Sequence, residues 1–116
     1  MAIPARHDIY VYEGDDTMLV LQWTDTDGNP KELGTSTIKL GAKRSLKDPS
    51  LLFEVDGQII NQQKGKFAIA IPNHLTTGLS NGKLSHLPYD VEVILPSGLT
   101  QTLFYGYINL QPEVYP

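Results

Sequence analysis

Residues 89–98 read Tyr89-Asp90-Val91-Glu92-Val93-Ile94-Leu95-Pro96-Ser97-Gly98. In an extended chain Tyr89, Val91, Val93 and Leu95 fall on one side and Asp90 and Glu92 on the other, which is the alternation of a half-buried strand. Pro96-Ser97-Gly98 stops it with turn chemistry. The same two-residue period, closed by polar bends, recurs in both directions from this stretch. Upstream, Phe67, Ile69 and Ile71 alternate with Lys66, Ala68 and Ala70, and Ile38, Leu40 and Ala42 with Lys39, Gly41 and Lys43. Ile9 and Val11 alternate with Tyr10 and Tyr12. Downstream, a last strand is predicted from Leu99 to about Leu110.

Two stretches carry more specific expectations. Leu19, Leu21 and Trp23 alternate with Met18 and Val20, so both faces are apolar and a central strand covered on both sides is predicted. Leu51, Phe53 and Val55 lead to Asp56-Gly57, a two-residue hairpin signal with Gln58-Ile59-Ile60 as the returning strand. Pro72-Asn73 opens one short helix within residues 73–80, with Asn73 as its N-cap and Leu75 and Leu79 on its buried edge. The expected fold is therefore all-β: an antiparallel, Ig-like β-sandwich of about seven to nine strands with at most that one helix. Crossover helices, which a parallel α/β sheet requires, are missing.

The chain has 116 residues, 10 glycines, 8 prolines and no cysteine. That length suits one domain spanning 1–116, with proline-bearing extended arms at about 1–6 and 111–116. Without cysteine there are no disulfides, thiolate metal sites or thiol nucleophiles. The net charge of −4 argues against binding a nucleic-acid backbone. No apolar run follows Arg6 as a signal peptide would need. The 20 uncharged positions from Val93 to Pro112 are interrupted by Pro96, Gly98, Gln101 and Asn109, which reads as a hairpin and not a membrane span.

Chemistry-bearing residues are sparse. Asp25-x-Asp27-x-Asn29 matches the start of a calcium loop, but Pro30 stands where the bend needs glycine and Ser36 where a bidentate glutamate belongs. A turn with Asp25 bonding its own backbone and Gly28 at positive φ is expected instead. His7, His74 and His86 lack metal-pair spacing, and no serine sits in a nucleophile elbow. Asp90 and Glu92 share the outward face of a strand, where two solvated charges are expected ahead of a glycosidase pair. Lys39, Lys43, Arg44 and Lys47 cluster, and lysines of this kind guard exposed strand edges. No catalytic, metal or cofactor residue is assigned, and no cofactor is expected. The tyrosine pairs Tyr10/Tyr12 and Tyr105/Tyr107 suit contact surfaces, since tyrosine joins large area to a polar tip.

Several elements occur in a familiar order: Gly14-Asp15-Asp16, a strand ending in Trp23, Asp25-Thr26-Asp27-Gly28-Asn29-Pro30 followed by Glu32-Leu33-Gly34, Leu75 to Leu79, Tyr89-Asp90-Val91-Glu92-Val93, Ser97-Gly98, and Gly106-Tyr107-Ile108-Asn109-Leu110 with Gln111-Pro112-Glu113-Val114. Over about residues 14–114 the chain resembles the N-terminal β-sandwich module of tailed-bacteriophage baseplate upper proteins and the short tail proteins built from it. It departs from that pattern at Leu33-Gly34-Thr35, where the family usually reads Leu-Thr-Gly. The larger family members continue into a helical stem and a fibre-holding region, whereas this sequence ends at Pro116.

The resemblance implies a non-enzymatic structural or adaptor protein of a phage particle, in tail, baseplate or neck. Such a protein would be made in the host cytoplasm, be present in repeated copies or as a homo-oligomer, and be partnered by other virion proteins, with no nucleic acid or membrane. A capsid decoration or head-fibre protein is the alternative. A carbohydrate-binding module is the alternative of another class, and it would need an exposed aromatic row. Ile3, Tyr10, Tyr12, Val114 and Tyr115 are the expected interface residues, with the two arms lying on neighbouring subunits.

Overall fold

A computed structural model of the chain describes residues 4–113. The alternating rows become eight strands: β1 (Ala5–Arg6), β2 (Ile9–Tyr12), β3 (Thr17–Gln22), β4 (Thr37–Ala42), β5 (Phe53–Asn61), β6 (Lys66–Ile71), β7 (Ser85–Ile94) and β8 (Thr100–Gln111). They form a curled sheet of order β1-β8-β7-β4-β5-β6-β3, with β2 also on β8. The fold is thus all-β. The inward rows make one core in which Leu40, Ala42, Phe67, Ile69, Val91, Val93, Ile108 and Leu110 are fully buried. Each large side chain among them contributes roughly 1.5–3 kcal/mol of burial. No described helix is long and apolar enough to cross a membrane.

The sheet is mixed, which corrects the purely antiparallel expectation. β1 and β2 run parallel to β8, while the remaining pairs are antiparallel. The parallel pairs join the two ends of the chain, so the intervening domain itself is the crossover and no helix is needed. Ala5 faces Phe104 and Ile9 faces Ile108, so β1 and β2 keep one register on either side of a kink at His7-Asp8. At that kink Gly106 lies so close that a Cβ on it would stand 2.6 Å from the His7 carbonyl oxygen. The inner end of the N-terminal arm is thereby paired within its own chain. Ile3, Val114 and Tyr115 lie outside the described residues.

The expected Asp56-Gly57 hairpin is a single continuous strand. The first half of β5 pairs with β4 and the second half with β6, so the strand carries the sheet around a corner. Gly57 serves close packing here, because a Cβ on it would meet Ile38 Cγ2 at 2.8 Å. β3 is also corrected: among the described residues it pairs with β6 alone and is an edge strand, leaving Met18 and Val20 exposed. β4, by contrast, is flanked by β5 and β7, so Lys39 and Lys43 guard no edge.

The short helix is a 3-10 turn at Asn73–Leu75. Asn73 is its first residue and not its cap, and its N–H donates to Asp16 Oδ1 at 2.8 Å. Asp16 thus supplies from the β2–β3 turn the acceptor that helix starts require.

Candidate functional site

The outer face of β8, β7, β4 and β5 carries a groove. Strand register sets Arg6, Tyr105, Asp90, Gly41 and Glu54 in one row across the sheet. In the next row Lys39 lies between Glu92 and Asp56. Gly41 has no side chain, so the first row dips at its centre. Leu51 folds toward the dip, with Cδ2 at 3.1 Å from where a Gly41 Cβ would stand. The result is a groove of about 480 Å³ with Leu46, Leu51, Tyr105 and Tyr107 among its walls and Asp90, Glu92, Lys43 and Arg6 as its charged groups.

Asp90 and Glu92 are half-buried, which corrects the picture of two freely solvated charges. Burial pushes the Asp90 carboxyl above the ordinary carboxylate range, and Lys43 pulls only partly the other way. Burial also raises Glu92, with the charges of Asp90 and Glu54 adding to the effect. Among the described residues neither carboxylate has an ion pair, since Lys39 is held by Glu54 and Asp56 at 3.3 Å each. Arg6 is engaged as well: it meets Asp8 at 3.4 Å and stands 5.7 Å over the Tyr107 ring. The groove therefore holds two half-buried carboxylates between apolar walls, with Lys43 acting on Asp90 but no ion pair to either among the described residues, an arrangement that can take a further cation.

A second surface is the free edge of β3. Trp23 N–H donates to the Gly65 carbonyl at 2.9 Å, which continues the β3–β6 ladder by one pair. Alternation along an antiparallel ladder then turns the main-chain groups of Met18, Val20 and Gln22 away from β6. None of the remaining main-chain hydrogen bonds among the described residues involves those three. Met18 and Val20 are 64% and 63% exposed, and Thr17 to Gln22 carry no charge. The exposed face continues onto Ala70, opposite Met18 in β6.

Other sequence-singled residues have clear places. Tyr10 and Tyr12 are exposed while Ile9 and Val11 are buried, so the first strand presents both tyrosines outward. Asp25 Oδ1 accepts the N–H groups of Asp27 and Asn29, each at 2.9 Å, and Gly28 has φ +84°, as the turn reading expected. His86 Nδ1 bonds Asn109 Oδ1. Trp23 is buried under Lys31, whose Nζ lies 4.9 Å from the ring centre, so the sole tryptophan offers no sugar-stacking platform. The groove walls at Gly41, Leu46 and Leu51 escaped sequence reasoning, because only strand register brings them beside Asp90.

No protein-family model and no curated protein matches this chain.

Proposed function

We propose that the chain is a non-enzymatic structural or adaptor module of a bacteriophage particle, placed in tail, baseplate or neck and working through protein–protein contacts. The virion assignment draws on the ordered turn and strand-end pattern from Gly14 to Val114. The contact role rests on one observation, the uncharged edge of β3, which is unpaired among the described residues and leaves Met18 and Val20 exposed. Soluble proteins normally blunt such edges with charge, proline or a bulge, and β3 pairs with β6 over six residues without one. An edge left open is a template onto which a partner adds a strand through main-chain hydrogen bonds. Tyr10 and Tyr12, both exposed on β2, provide a second contact face.

The test replaces Val20 with a photo-cross-linking residue in phage-producing cells. An adduct between this chain and another virion protein, or a second copy, within purified particles supports the reading. Absence of the chain from purified particles, or its presence there without any adduct at this position, overturns it.

A further inference from the structure

We propose that the groove over Gly41 is a docking pocket for an arginine side chain of a partner protein. This deepens the contact-module reading and rests on it. Charge complementarity carries the choice of occupant. Asp90 and Glu92 project from one strand face at positions i and i+2, about 7 Å apart along the strand. A planar guanidinium with five donors spans such a pair and can bond both carboxylates. Burial disfavours their charges, Lys43 offsets this only in part, and the cations Lys39 and Arg6 are held by other carboxylates. The walls suit the same group: Leu51 and Leu46 cover an aliphatic stem, and Tyr105 offers a ring to a cation. Arg6 over Tyr107 already shows this wall accepting a guanidinium. A neutral sugar would donate hydrogen bonds to the carboxylates while leaving both charges uncompensated.

Titration of the full chain with blocked arginine at millimolar concentration, followed by NMR, tests the assignment. Blocked citrulline, the neutral isostere, and a methyl glycoside are run beside it. The expected result is shifts centred on Gly41, Asp90 and Tyr105 with arginine and at least about tenfold weaker binding of citrulline, as charge-assisted bonds imply. An Asp90→Asn/Glu92→Gln variant, whose changes face outward and whose spectrum elsewhere reports an intact fold, should lose the arginine response. No response to arginine, equal binding of citrulline, a response unaltered in the double variant, or shifts with the glycoside in place of arginine would each overturn it. The particle cross-link at Val20 is read independently, so a failed titration with a positive cross-link removes the pocket and leaves the contact role standing.

Discussion

The Tyr89 hydroxyl, rooted in β7, donates to the main-chain carbonyl of His7 in the kink between β1 and β2. It reaches across β8 and fastens the N-terminal segment to the body of the sheet. Burial, helped by the nearby Asp8 charge, pushes the Tyr89 hydroxyl up to about 12 from 10.0. The folded state thus keeps this proton where the unfolded chain releases it. The contribution is complete below pH 10.0 and is lost as pH rises toward about 12. Tyr89→Phe should cost about 1 kcal/mol at neutral pH. Thermal melts across alkaline pH should also show a shallower fall in stability for the variant than for the parent.

Asp8 Oδ1 accepts the Tyr107 N–H at 3.0 Å, standing in for a main-chain partner at the same kink. That bond, ahead of the contacts with Arg6, holds the carboxyl below its ordinary range. Its contribution is present above the unfolded carboxylate pKa and disappears as pH falls through the lower folded value. Asp8→Asn keeps an acceptor without the charge, so its melting temperature should depend less on acid pH than the parent's. Asp8→Ala leaves the Tyr107 N–H without this partner and should melt lowest of the three at neutral pH.

Gly57 marks the corner where β5 exchanges β4 for β6. Ile38, the neighbour a new Cβ would strike, is buried and stiff at its β-branch. Gly57→Ala should lose about 1–3 kcal/mol in urea unfolding, the usual cost of overpacking.

The groove carboxylates have the opposite sign from Asp8. Asp90 and Glu92 hold protons more tightly in the folded chain, so their ionised forms oppose folding above the folded pKa. That penalty vanishes as pH falls below the unfolded carboxylate range. Asp90→Asn and Glu92→Gln should each raise the melting temperature at about pH 7 and have little effect at about pH 3. On the docking proposed above, the stability given up at the groove would be regained when a partner's arginine supplies the opposite charge.

Local alternation made much of the core readable. Ile38-Leu40-Ala42, Phe67-Ile69-Ile71 and Val91-Val93 point inward as their period predicts, because that period belongs to each strand alone. What depends on pairing between distant segments was not readable. Met18 and Val20 look like the second covered face of a central strand until the sheet order puts β3 at an edge. Asp56-Gly57 has the composition of a hairpin, yet Ile38 pressing on Gly57 and the change of partner along β5 keep the chain extended. The groove has the same origin: Asp90 and Glu92 were visible as a pair, but Gly41 beneath them follows only from the β4–β7 register.

The β3 edge is tested most directly by amide hydrogen exchange at Met18, Val20 and Gln22, measured by mass spectrometry on the free chain and on the chain within purified particles. In the free chain these three amides should exchange faster than Leu19 and Leu21, whose N–H groups face β6, and in the particle they should become protected. Equal protection of all five in the free chain, or unchanged exchange at Met18, Val20 and Gln22 in the particle, would contradict the account.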